Sequence, residues 1–257
     1  MPANAIATLY ELAGLLGRSA PDWREFRAGQ PEAWLVTFAN PHSVRLMMDR
    51  QDYSSTLAQF DVVLPDGNLL AQSATRQLGR TIERKSFDGN SLAPEVLSFC
   101  QRNRLRVALV GGVEGVASAA ASLFRKEFGV EVVFTRSGFF ANAEQRNQCF
   151  QALREQNVDV VICGMGAPHQ DRFLLELKAS GWRGLGFTCG GYLDQALASG
   201  VKYYPDWVNR FNLRAPYRLL REPRRLWRRY LIEYQPFLLA DVRLRLRNVR
   251  HQQEHRS

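Results

Sequence analysis

Along most of the chain, short apolar runs alternate with amphipathic stretches, and each run stops at a turn residue. Ala33–Ala39 (AWLVTFA) predicts a strand that ends at Asn40-Pro41, with a helix following over His42–Arg50. Asp61–Leu64 is a short strand halted by Pro65-Asp66-Gly67. Arg106–Val110 (RVALV) is a clearer strand, followed by Gly111-Gly112 and an Ala-rich helix over Glu114–Phe128. Val130–Thr135 (VEVVFT) is the next strand and ends near Gly138. A helix over Ala143–Gln156 then leads into Val158–Cys163 (VDVVIC), closed by Gly164-Met165-Gly166. After one more helix, Gly184–Cys189 predicts a last strand before Gly190-Gly191. Strands alternating with helices of about 10–15 residues specify parallel β-α-β units, hence a Rossmann-like doubly wound, mainly parallel α/β sheet.

The glycines sit where such a sheet binds its ligands, at the carboxyl ends of the strands. Gly111-Gly112 allows close backbone approach and opens a helix whose N-terminus favours anions. The full GxGxxG fingerprint is absent, as is the GxxxxGK[ST] phosphate loop, which removes support for NAD and ATP chemistry. The pattern alone therefore ends at a nucleotide-binding α/β domain. A reductase, or another nucleotide-dependent enzyme, stays open at this point.

Charge divides the chain in two. Residues 1–195 hold 20 Lys+Arg and 20 Asp+Glu, whereas residues 196–257 hold 14 against 5, which accounts for the whole net charge of +9. The expected organisation is a catalytic α/β domain over residues 1–200 and a basic, mostly helical appendage over 201–257. From Tyr203 onward, aromatic and Arg residues intermix, and Pro205, Pro216, Pro223 and Pro236 cut the segment into short helices. Arg218, Arg221, Arg225 and Arg228 recur at helical spacing, with Pro223 dividing the stripe. Such a tail points to a polyanionic partner, either an anionic membrane surface or nucleic acid.

With 46% apolar and 23% charged residues, the chain can bury a sizeable core. No stretch approaches the roughly 20 apolar residues of a membrane-spanning helix. The run Ala5-Ile6-Ala7-Thr8-Leu9-Tyr10 meets Glu11 at once and lacks a basic lead-in, so an ordinary helix is expected there rather than a signal peptide. Cys100, Cys149, Cys163 and Cys189 show no CxxC pair and no metal-ligand spacing with His, which predicts buried, reduced thiols. A cytoplasmic protein is expected.

The motifs in order carry more than any one of them. Pro65-Asp66-Gly67, Val110-Gly111-Gly112, Gly138-Phe139-Phe140, Gly164-Met165-Gly166-Ala167-Pro168-His169-Gln170-Asp171 and Gly190-Gly191-Tyr192-Leu193-Asp194 together resemble the WecG/TagA/CpsF glycosyltransferases. The stretch from Tyr217 to Leu231 (YRLLREPRRLWRRYL) resembles that family's tail. Departures are visible. The usual Pro-Lys-Gln-Glu is Pro168-His169-Gln170-Asp171, and the usual Glu-Trp before the tail is Arg214-Ala215-Pro216. Arg84–Leu92 follows the family's segment only loosely, with Ser91 in place of an Asp. Thr37 and Asn40 stand one residue further apart than the usual Thr-x-Asn.

The resemblance implies transfer of a sugar from a UDP donor to a polyprenyl-diphosphate-linked sugar, with inversion, in cell-surface or exopolysaccharide synthesis. It places the catalytic base at Asp66; Asp-Gly is also an ordinary turn pair. Asn40 is expected to hold acceptor or sugar hydroxyls, with Asp88 in the same region. Gly111, Gly112, Gly138, Phe140, Gly166, Gln170, Thr37 and Asp88 are the expected donor-binding set. His169 is read as a substitute for the usual Lys. With no DxD pair, no metal or other cofactor is expected. Arg218, Arg225 and Arg228 match the family's basic positions and are expected to meet both the leaving diphosphate and anionic lipid, with Trp227, Tyr230 and Tyr234 at the interface. The expected partners are thus a UDP-sugar, the lipid-linked acceptor and the inner membrane surface, with no nucleic acid. A homo-oligomer is compatible with the sequence. N-acetylmannosamine-type, glucose and uronic acid donors all fit the resemblance.

Overall fold

The computed structural model describes residues 2–50, 52–200, 220, 227–228 and 232–254. Its strands form where apolar residues run unbroken. In β3 (Val107–Gly111) and β5 (Val160–Gly164) every residue is buried, because helices cover both faces of the sheet. With β1 (Trp34–Ala39), β2 (Val62–Pro65), β4 (Val132–Arg136) and β6 (Leu185–Thr188) they make one six-stranded parallel sheet in the order β2-β1-β6-β5-β3-β4.

The helices are α1 (Pro2–Leu16), α2 (Pro41–Asp49), α3 (Asp52–Ala58), α4 (Asn68–Leu78), α5 (Leu92–Arg102), α6 (Val116–Phe128), α7 (Ala143–Glu155), α8 (His169–Ala179), α9 (Tyr192–Ser199) and α10 (Gln235–Glu254). One face of the sheet packs Phe150 and Leu153 of α7 and Phe173, Leu174 and Leu177 of α8 against α1, α2 and α4. The other packs α5, α6 and α9 around Phe87, Phe124 and Phe187. Connections running one way along the sheet thus lie on one face, and α5 and α6, which run the other way, lie opposite, as right-handed crossovers require.

Element types agree with the apolar pattern, and the boundaries differ by a residue or two. Strand β5 begins at Val160 because Asp159 is used differently: its Oδ2 accepts a bond from the Arg106 backbone N–H (2.8 Å), closing the entry to β3. Helices α3, α4 and α5 occupy stretches the pattern had not assigned. All four cysteines are buried and unpaired, and burial pushes the Cys100 thiol up to about 12.

Part of the basic C-terminal segment joins the body. Phe237, Ala240 and Leu244 of α10 are buried in the same core as α1. Asp241 accepts bonds from Arg76 of α4 (2.6 Å) and from Arg245 (2.9 Å). Among the described residues no helix is long and apolar enough to cross a membrane.

Candidate active site

Every strand of a parallel sheet ends at the same edge, and the polar residues gather there. The Asp66 N–H donates to the Ala39 carbonyl (2.6 Å), drawing the turn after β2 against the end of β1. Residues 80–91 then return alongside, held by the bond from Lys85 N–H to the Pro65 carbonyl (3.0 Å). That return delivers two side chains to Asp66. The Ser86 hydroxyl donates to its Oδ1, and the Arg84 guanidinium stands 3.9 Å from the same oxygen while pairing with Asp88 at 2.8 Å. Asp66 keeps 39% of its side chain exposed, enough to meet a substrate.

Two adjoining cavities open on this edge. The smaller, about 160 Å³, is lined by Asn40, Asp66, Arg84, Ser86, Asp88 and Gln170, among others. The larger, about 830 Å³, runs over Gly112, Gly138, Gly164 and Gly166 and past Phe140, Arg146, His169 and Arg172. Gly166, Gly190, Gly191 and Gln195 border both. Helices α6, α8 and α9 begin immediately after the glycine turns that line the larger cavity, so their N-terminal N–H groups favour an anion there.

The expected site residues separate into three groups. Asn40, Asp66 and Asp88 share the smaller cavity, and Gln170 joins them there with Gly166, apart from Gly112, Gly138 and Phe140. Its Oε1 accepts from the Gly190 N–H (3.0 Å), so Gln170 braces the wall between the cavities. Asn40 also caps α2, its Oδ1 accepting from His42 N–H (2.9 Å), so its Nδ2 is what it can offer a ligand. Gly112, Gly138, Gly166 and Phe140 line the larger cavity. Phe140 stacks on Phe173 and carries the Arg136 guanidinium 4.6 Å above its ring.

Thr37 and Gly111 line neither cavity. Gly111 lies beneath the glycine turns, paired with Gly164 across β3 and β5. Thr37 is fully buried, and its hydroxyl donates to Asp171 Oδ1 (2.6 Å) beside Thr188 (3.0 Å). Both lie behind the cavities: Gly111 is held in the β3–β5 ladder, and Thr37, on a strand covered on both faces, points toward α8. Arg218 and Arg225 lie outside the described residues. Arg228 is exposed and lines neither cavity.

Sequence reasoning assigned no role to Arg84, Ser86, Asp194 or Gln195, nor to the buried cluster around Asp171. Asp171 Oδ2 accepts from Tyr53 (3.3 Å), which ties α8 to α3 as well as to β1. Burial lifts its carboxyl to about 6, against the lowering effect of the Thr37 and Tyr53 bonds. The folded chain therefore binds this proton more tightly than the unfolded chain. Its stability contribution is full at low pH and is lost as pH rises from about 4 to about 6. Asp171→Asn, which stays neutral, is expected to gain on the order of 2–3 kcal/mol relative to the parent across that window. Urea unfolding at pH 4 and pH 7 measures this, and a difference that does not change with pH would refute it.

Among the described residues no three His, Cys, Asp or Glu side chains converge to hold a metal ion.

The family model described as "Glycosyl transferase WecG/TagA/CpsF family" matches residues 18–251. The chain is 29% identical over 209 residues (81% of this chain, 85% of the relative) to a Shigella boydii UDP-Gal:alpha-D-GlcNAc-diphosphoundecaprenol beta-1,4-galactosyltransferase. It is 24% identical over 198 residues (77% of this chain, 75% of the relative) to a Bacillus subtilis (strain 168) N-acetylglucosaminyldiphosphoundecaprenol N-acetyl-beta-D-mannosaminyltransferase. A Bacillus spizizenii enzyme of the same description is 26% identical over 200 residues (77% and 75%). A match across nearly the whole α/β body and into α10 is decisive: the chain is a glycosyltransferase and belongs to the WecG/TagA/CpsF family.

Proposed function

We propose that this enzyme moves a hexosyl residue from a UDP-sugar to the sugar of a polyprenyl-diphosphate-linked acceptor, with inversion, in the synthesis of a bacterial surface or extracellular polysaccharide. The observation that carries the reading is the junction of the two cavities: a carboxylate on one side, a glycine-edged cavity flanked by helix N-termini on the other. The lipid-linked GlcNAc acceptors named for the relatives support it.

The uridine diphosphate occupies the larger cavity, its phosphates facing the N-termini of α6 and α8. The acceptor sugar enters the smaller cavity, where Asn40 and Gln170 border it. Asp66 takes the proton of the acceptor hydroxyl as that oxygen bonds to the anomeric carbon. The bond from that carbon to the diphosphate oxygen breaks, and UDP leaves with the electron pair. UDP-hexoses are α-linked, so one displacement gives the β-linkage that the relatives' names carry. Arginines of the basic segment complete the neutralisation of the diphosphate, with the enzyme held peripherally on the inner, anionic membrane face.

Purified enzyme is to be incubated with GlcNAc-diphospho-undecaprenol and UDP-Gal, UDP-Glc or UDP-ManNAc, with and without EDTA. Transfer from one donor that persists in EDTA is the expected result. Loss of transfer in EDTA overturns the metal-independent step. Absence of transfer from every donor, with or without Mg²⁺, overturns the reading as a whole.

A further inference from the structure

In the reaction proposed above, the transferred sugar has to occupy both cavities at once. Its anomeric carbon is bonded to the diphosphate in the larger one and attacked from the smaller one. The four residues that border both cavities therefore surround it. Three of them, Gly166, Gly190 and Gly191, have no side chain, which leaves the carboxamide of Gln195 as the one side chain common to both linings among the described residues. Resting on that reading of the reaction, we infer that Gln195 determines donor specificity by hydrogen bonding to the hydroxyls of the transferred hexose.

Its placement suits the role. Gln195 lies in the first turn of α9, where its backbone N–H bonds to the Gly191 carbonyl (3.1 Å), so its root is fixed against the glycine turn. The residue is half-buried, and among the described residues its amide has no hydrogen-bond partner. Gln170 differs, since its Oε1 is already committed to Gly190. A carboxamide offers two donors and an acceptor, which matches a sugar hydroxyl that both donates and accepts.

The charges around it narrow the donor class. Asp194, the preceding residue, lines the larger cavity, and Asp66 lines the smaller. A carboxylate at the sugar's C6 would meet an aspartate in either cavity, so the pair of linings suits a neutral hexose and opposes a uronic acid. The arginines of the two linings are already paired: Arg84 with Asp88 at 2.8 Å, Arg146 with Glu176 at 2.9 Å and Arg172 with Asp52 at 2.5 Å.

The test measures kcat/KM for UDP-Gal, UDP-Glc, UDP-ManNAc and UDP-glucuronic acid with GlcNAc-diphospho-undecaprenol, in the parent and in Gln195→Ala. The parent is expected to prefer a neutral donor over UDP-glucuronic acid by about 100-fold or more. Gln195→Ala is expected to lose about 10–100-fold on the preferred donor and to bring the UDP-Gal to UDP-Glc ratio close to one. Binding of UDP alone, followed by titration calorimetry, is expected to stay within about twofold. Gln195→Asn, which keeps the amide but withdraws it by one methylene, is expected to shift the ratio in the same direction and serves if the Ala variant is poorly folded. A donor ratio unchanged in both variants overturns the inference, as does a loss of UDP affinity that parallels the loss of kcat/KM. A parent inert with all four donors overturns the underlying reaction instead, and this is evident before any variant is compared.

Discussion

Asp66→Asn is expected to lower kcat/KM for sugar transfer by about 10²–10⁴-fold, the usual contribution of a positioned general base. The substitution is nearly isosteric. It preserves the backbone bond to Ala39 and a carbonyl oxygen that can still accept from Ser86, so the turn after β2 keeps its shape. What it removes is the capacity to take a proton. UDP affinity is expected to be unaffected, because Asp66 lies in the smaller cavity and the larger one is lined by other residues. Steady-state kinetics with a water-soluble analogue of the lipid-linked acceptor, together with UDP titration, separates the two effects. Residual activity within about tenfold of the parent would remove Asp66 from the role of base and turn attention to Asp88, its neighbour across Arg84.

The second large effect is expected from a residue that touches no substrate. Gly111→Ala places a methyl group 2.3 Å from the Gly164 carbonyl oxygen and 2.7 Å from its carbon. Both are backbone atoms of a strand paired in register with Gly111, so neither can yield without opening the β3–β5 ladder. Gly164 is itself wedged, because its own added Cβ would meet the Gly190 carbonyl at 2.8 Å. The glycines thus form a stacked row across neighbouring strand ends, directly beneath the larger cavity that Gly164 and Gly190 line. Overpacking of this kind costs about 1–3 kcal/mol or more, and the upper end is expected here, with UDP binding reduced as well. Urea unfolding and UDP titration report the two losses. Gly14→Ala in α1, where a Cβ meets nothing within 4 Å, is the control and is expected to be neutral or slightly stabilising. Equal stability of Gly111→Ala and the control would show that the strand ends are looser than their spacing implies.

Much of this protein was legible from local pattern. The alternation of apolar runs with amphipathic stretches marks all six strands to within a residue or two, and the residues after them mark the edge on which the two cavities open. Asp66, Asn40 and the larger-cavity glycines were in view for the same reason, since each directly follows a strand and a parallel sheet sends all such positions to one side. The side a residue faces was less visible. Thr37 sits on a strand covered on both faces, where an alternating pattern does not distinguish substrate from core, and its hydroxyl meets Asp171, far away in sequence. Gln170 begins a helix beside glycine turns, yet its amide bends to Gly190 and the smaller cavity.

By itself, then, the sequence determined the α/β class, the strand ends around which the two cavities open, the family to which the motifs belong and the segregation of basic charge toward one end. All of these depend on residue type and short spacing, which periodicity and turn chemistry encode directly. Only the tertiary structure decided that residues 80–91 bring Arg84 and Ser86 back to Asp66, that Gln195 stands where the two cavities meet and that α10 closes on α1. Each of those depends on strand order and on contacts between distant segments. Such contacts form only once the crossovers have stacked the helices, and no local stretch of sequence carries them.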